Sequence, residues 1–259
     1  MGDFLDIFAF EARERLSSGY YEVQEVQRSE KRSLVAAIRK RNGNPIIAEL
    51  KAASPSAGLL RKDLDIANCA MAMQRGGAVG LSVLTVPQRF NGHLSHIPLV
   101  KSIVDLPILM KDFVVSSEQI HAAANVDADC VLLIFSLFKR GYVGGSLESM
   151  IAYAHGLGLE VLLETHSEDE YGAAFGTSAD IIGVNNRDLR SLTVDLHVTK
   201  RLLAGGKPVG KVVASESGIR SSEDIVLLKN AGVDAFLVGS AIMSSEDIET
   251  AVRRFSKSK

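Results

Sequence analysis

Cysteine is scarce in this chain of 259 residues. Cys69 and Cys130 are its only two, with no CxxC and no Cys/His spacing. A disulfide between them stays open, but reduced core thiols are the expectation. Excess charge of either sign is also missing, since 29 Lys and Arg face 31 Asp and Glu for a net −2. Neither nucleic acid nor an acidic membrane is therefore expected as a partner. Met1 to Phe10 has acids and no basic start, and no apolar run reaches membrane-spanning length. The expectation is a cytoplasmic protein, neither exported nor inserted. No Pro/Ser-rich linker and no low-complexity tract interrupts the chain, which reads as one domain over 1–259. The histidines (His93, His96, His121, His155, His166, His197) form no i, i+4 pair with a carboxylate base. No metal is predicted, and no cofactor.

What is present is an alternation. Short apolar runs occur at Pro45–Leu50, Val79–Leu84, Leu106–Met110, Asp129–Ile134, Glu160–Leu163, Asp180–Val184, Lys211–Ala214 and Asp234–Val238. Each suits a strand, and each is too uniformly apolar for a half-exposed sheet. Such strands belong in a parallel sheet covered on both faces. Helical patterns lie between them. Leu64–Ala78 is closed by Gly76-Gly77, Ser116–Asn125 opens on Ser116-Ser117, and Ser221–Ala231 runs from cap residues and acids to Gly232. Strand, loop and helix in eightfold repetition predict an α/β fold, the (β/α)8 TIM barrel. An open doubly wound sheet is the alternative, but no Gly-x-Gly-x-x-Gly follows the first strand. Residues 1–44 precede that strand as a helical extension, one helix with Phe4, Ile7, Phe8, Ala12 and Leu16, another around Leu34–Ile38. The plainer reading has this extension cap the barrel's bottom or side; the alternative places it over the top, against substrate.

Barrel active sites lie at the carboxyl ends of the strands. The first run ends Glu49-Leu50-Lys51, which alternation sends to one face. A carboxylate and an ammonium pointing inward are costly unless paired or serving a ligand. Other runs end at Lys111-Asp112-Phe113, at Glu164-Thr165-His166, at Asn185-Asn186-Arg187 and at Glu216-Ser217. One such residue is usually a structural ion pair; their recurrence predicts a functional site. Ser217-Gly218 and Gly239-Ser240 follow the seventh and eighth runs, where barrels often bind phosphate through loop amides. Tight βα turns would account for the same residues. Lysines, glutamates and a phosphate site suggest acid–base chemistry on a sugar phosphate.

The strings Ile47-Ala48-Glu49-Leu50-Lys51-Ala52-Ala53-Ser54-Pro55-Ser56, Leu109-Met110-Lys111-Asp112-Phe113, Gly183-Val184-Asn185-Asn186-Arg187-Asp188-Leu189 and Glu216-Ser217-Gly218-Ile219 resemble the indole-3-glycerol-phosphate synthase family. So do Ser82-Val83-Leu84-Thr85, Phe90-Asn91-Gly92 and Leu237-Val238-Gly239-Ser240, and the resemblance spans the chain. It implies closure of an indole ring on a carboxyphenylamino-deoxyribulose phosphate, with loss of carbon dioxide and water, in tryptophan biosynthesis. By resemblance, Lys111 is the general acid, Glu164 the acid/base partner in dehydration, and Glu49 and Lys51 flank the reacting centre. Asn185 and Ser217 position substrate, Glu216 holds polar groups, and Arg187 engages the anthranilate carboxylate. Ser54, Phe90, Phe113 and Leu133 are further candidates for substrate contact. Lys51, Gly218, Gly239 and Ser240 are the candidates for phosphate. The expected partner is a small sugar phosphate, and a monomer is the favoured assembly.

Three positions depart from the family's habit. Val86 stands where an acid often follows Leu-Thr, Ser136 where strand four often ends in lysine, and His93 where serine is common. A lysine missing near Ser136 predicts carboxyl pKa values for Glu49 or Glu164 higher than in relatives. Two rival readings remain. Phosphoribosylanthranilate isomerase needs a Cys/Asp pair at strand ends, and neither cysteine ends a strand here. A non-catalytic barrel that kept only a phosphate site conflicts with the intact set Glu49, Lys51, Lys111, Glu164 and Asn185.

Overall fold

The computed structural model describes residues 2–27, 29–55, 58–62 and 64–258. Eight parallel strands close into a barrel. In chain order they are β1 (Ile46–Leu50), β2 (Gly80–Leu84), β3 (Ile108–Lys111), β4 (Cys130–Ile134), β5 (Glu160–Thr165), β6 (Ile181–Asn185), β7 (Val212–Glu216) and β8 (Ala235–Val238). Each pairs with its neighbours in sequence, and β8 pairs with β1. The eight predicted runs are these strands, and the TIM barrel is the fold.

Alternation along each strand divides the core in two. Ala48, Leu50, Met110, Val131, Leu133, Leu163, Val184 and Val238 face the surrounding helices. Ile47, Leu109, Leu132, Leu162, Ile181, Ala214 and Leu237 fill the barrel itself. Both faces are dry over most of each strand, so charged residues gather at the strand ends. The helices begin and end where the sequence signals them. Ser116 and Ser221 cap their helices reciprocally with Gln119 and Asp224. Helix Ile66–Gly76 ends on Gly77 in the left-handed conformation, φ 94°.

The N-terminal extension does both things that the sequence left open. Helix α1 (Phe4–Ser17) lies over the carboxyl mouth, with Leu5, Phe8, Ala9 and Ala12 buried against the barrel interior. Arg140 clamps the Asp3 carboxylate, and Tyr142 donates to Asp6 at 2.7 Å. The chain then descends the barrel's side through bonds such as Val26 N–H to Asn125 O, 2.9 Å, and Ser29 to Asp127. Helix α2 (Leu34–Lys40) closes the bottom, where Leu34 fills the space that a side chain at Gly80 would need. Glu160, first residue of β5, accepts from Ser33 and from the Leu34 and Val35 amides. One extension thus stoppers both ends of the barrel.

Candidate active site

A cavity of about 430 Å³ opens at the carboxyl end of the barrel. Its floor is set by register. Asn185 of β6 sits beside Glu216 of β7, and Glu164 of β5 beside Gly183 of β6, with all four facing inward. Gly183 must lack a side chain, because a Cβ there would lie 2.2 Å from Glu216 Oε1. Lys111, last residue of β3, reaches across to Glu216 Oε2 at 2.9 Å and Glu164 Oε2 at 3.3 Å. Asn185 donates its amide to Glu164 Oε1 at 2.8 Å. Lys51 pairs with Glu49 at 2.5 Å on the opposite wall.

These charges set one another's protonation. Burial works against the Lys111 ammonium, but Glu216, Glu164 and Glu49 outweigh it and hold its pKa well above the ordinary lysine value. Burial alone would raise Glu49; Lys51 and Lys111 reverse that, and its carboxyl falls below the usual range. Lys51 and Lys111 thus supply positive charge at Glu49 without a lysine at the end of β4. Ser136, second residue of the short helix after β4, donates to Glu170 at 2.6 Å, away from Glu49. Glu216 is shifted the opposite way. Burial pushes its carboxyl up to about 7, with Lys111 pulling the other way.

The cavity's rim is cationic and its side wall aromatic. Arg187 is depressed first by burial and then by Arg220, a like charge facing the same space, while Glu49 acts in the opposite sense. One Arg187 N–H is committed to Leu192 O at 2.9 Å, and the Arg187 amide donates to Asn185 Oδ1. Asp188 bonds Arg190 rather than Arg187. Phe8 stacks on Phe113 with centroids 4.4 Å apart, and Phe90 lies about 6 Å from both. The turn after β7 places Ser217 at φ 64° and Gly218 at φ 83°, two consecutive left-handed residues. Asn186 holds that turn by donating to the Glu216 and Ser217 carbonyls. Gly239 follows β8, and a Cβ on it would meet Glu49 Oε1 at 2.4 Å.

Glu49, Lys51, Ser54, Phe90, Lys111, Phe113, Glu164, Asn185, Arg187, Glu216, Ser217, Gly218, Gly239 and Ser240 all line this cavity. Leu133 does not. It is fully buried between barrel and helices, and its neighbours Leu132 and Ile134 take the inward positions instead. Ser56 of the first motif lies outside the described residues. Phe8 and Arg220 went unassigned in the sequence. Arg220 was within reach of the Ser217-Gly218 argument, three residues along, whereas Phe8 required knowing where α1 docks.

The model of the family described as indole-3-glycerol phosphate synthase matches residues 8–255. The chain belongs to that family. It is 43% identical to an indole-3-glycerol phosphate synthase of Methanocaldococcus jannaschii over 236 residues, 89% of this chain and 85% of that protein. Indole-3-glycerol phosphate synthase 2 of Ralstonia nicotianae is 38% identical over 236 residues, 90% of this chain and 86% of its own. Among solved structures, thiamine phosphate pyrophosphorylase of Pyrococcus furiosus superposes with a TM-score of 0.59 at 16% identity, covering 86% of this chain and 96% of that one. At that identity the likeness speaks for the barrel alone. The departures from family habit now have surroundings. Val86 is buried beneath α1 with Leu5 and Phe8, where an acid would lack water. His93 bonds Ser95 at 2.8 Å and packs edge-on against Tyr20.

Proposed function

We propose that the protein is an indole-3-glycerol-phosphate synthase. It closes the pyrrole ring of 1-(2-carboxyphenylamino)-1-deoxyribulose 5-phosphate and releases one carbon dioxide and one water. The observation that carries this reading is Lys111, an ammonium bracketed by Glu164 and Glu216 beside an aromatic wall. Attack of the ring carbon on the ketose carbonyl builds negative charge on oxygen, and a fixed cation there lowers that barrier. A lysine whose proton is held this firmly stabilises the oxyanion first. It gives up the proton only to an oxygen that has become strongly basic. Loss of carbon dioxide restores the ring. Dehydration then needs a base and an acid, roles for Glu164, oriented by Asn185, and for a carboxyl titrating near neutrality, Glu216.

Two anionic ends of the substrate match the two cationic regions. Arg187 suits the planar anthranilate carboxylate, with Phe8, Phe90 and Phe113 against the ring. Lys51, Arg220, Ser240 and the amides around Gly218 and Gly239 suit the phosphate. Ser54 and Ser217 border the same space. The test is to supply the carboxyphenylamino substrate and follow indole fluorescence, with carbon dioxide release measured in parallel. Ring closure with one carbon dioxide per turnover supports the reading. Binding without turnover would support a non-catalytic barrel instead.

A further inference from the structure

We infer that Arg15, on the N-terminal extension, is a positioning residue for Lys111 and acts through the carboxylate of Asp112. The role in turnover rests on the reaction proposed above; the structural part does not. Lys111 ends β3, and it is laddered on one side only. Toward β2 it pairs with Leu84, but toward β4 the ladder stops at Met110 and Val131. Something else must fix the backbone that aims the ammonium, since reacting groups displaced by about 1 Å can lose on the order of 100-fold in rate.

The neighbouring residue supplies it. Asp112 is buried, and both of its oxygens are fully engaged. Oδ1 accepts from Arg15 Nη2 at 3.1 Å and from the Phe113 amide at 2.8 Å. Oδ2 accepts from Tyr21 Oη at 3.0 Å and Thr85 Oγ1 at 2.6 Å. The same Thr85 donates its amide to the Lys111 carbonyl at 3.2 Å, and Tyr20 Oη donates to the Thr85 carbonyl at 2.7 Å. Arg15 is 3% exposed and also donates from Nε to Tyr21 Oη, 3.0 Å, and from Nη1 to Gln88 Oε1, 3.1 Å. A buried arginine is costly unless fully paired, and this one pairs only when α1 sits on the mouth. Burial, reinforced by Asp112, keeps the Tyr21 phenol protonated and therefore a constant donor. Arg15, Tyr20 and Tyr21 thus make the extension part of the frame that holds Lys111 between Glu164 and Glu216. Phe113, one residue further, is held by the same carboxylate and faces the cavity.

The experiment compares Arg15→Met, Arg15→Lys and Tyr21→Phe with the unaltered protein and with Leu34→Ala, a destabilising change at the opposite end of the barrel. Arg15→Met should lower kcat by about 10- to 100-fold with KM within about threefold, Arg15→Lys should recover part of it, and Tyr21→Phe should show a smaller fall in the same direction. Leu34→Ala should lower Tm without that fall in kcat. The titration of Lys111, read by NMR on 13C-labelled lysine, should move down toward the ordinary lysine value in Arg15→Met and Tyr21→Phe. That readout needs no turnover, so an inactive unaltered protein would sink the proposed reaction while the titration still decides the positioning. Should Arg15→Met fail to fold, Tyr21→Phe carries the test alone. An unchanged Lys111 titration in a folded variant would overturn the inference, as would a kcat loss no larger than that of Leu34→Ala.

Discussion

Glu216 is a carboxyl of the site whose proton is held toward neutral pH. Its Oε1 is buried and has no hydrogen-bond partner among the described residues, while Oε2 faces Lys111. With a folded-state pKa of about 7 against 4.5 for the free group, native Glu216 holds a proton that the unfolded chain has lost across that interval. Its contribution to stability is fully present below pH 4.5 and falls away as pH rises to about 7. Denaturant midpoints of Glu216→Gln should therefore fall less with pH over that window than those of the unaltered protein; parallel curves would show that Glu216 titrates normally. Phosphate is better tested at Arg220 than at Gly239. A side chain at Gly239 would strike Glu49 Oε1 and Lys51 Nζ before it met any ligand. Arg220→Ala should raise KM for the phosphorylated substrate about 10- to 100-fold, the weight of one charge-assisted contact, with kcat nearly preserved. An unchanged KM removes Arg220 from the phosphate site. Most of the site was legible residue by residue, because a charged residue at the end of an apolar run declares both the rim and the inward face. Leu133 shows the limit. Val131 to Ile134 is apolar throughout, so nothing in the run says which parity faces in. Register with Glu164 makes Ile134, and hence Leu132, the inward ones.

The elements were legible where local chemistry marks them. Cap serines, Gly77 and the uniform strand runs all fell where expected, because those signals act over a few residues. The docking of the extension was not, since an amphipathic stripe says that a helix buries one face without saying against what. The two helices of the extension therefore make a paired prediction. Phe8→Ala, beneath α1, should cost about 3 to 5 kcal/mol of stability and also raise KM, because Phe8 backs Phe113 at the cavity wall. Leu34→Ala, in α2, should cost about 2 to 5 kcal/mol and leave KM where it was, because Leu34 fills the far end of the barrel. Urea denaturation with steady-state kinetics on both variants separates them. Equal effects on KM would mean that α1 is only a cover.

At the scale of the whole molecule, the barrel brings together charges that no short segment contains. Lys51, Lys111, Glu164, Asn185 and Glu216 come from β1 or its loop and from β3, β5, β6 and β7, and they meet because alternate residues of every strand face one axis. No described helix is long and apolar enough to cross a membrane, and the surrounding helices serve to keep that ring in register. The central claim is that this ring performs indole ring closure with Lys111 at its centre. The direct measurement is single-turnover fluorescence on the carboxyphenylamino-deoxyribulose phosphate, with protein in excess, for the unaltered chain and for Lys111→Ala. The account predicts indole formation by the unaltered chain. In Lys111→Ala the rate should fall about 100-fold or more, the weight of a positioned proton donor, while substrate binding stays nearly unchanged. No indole from the unaltered chain, or a Lys111→Ala rate within about tenfold of it, would contradict the account.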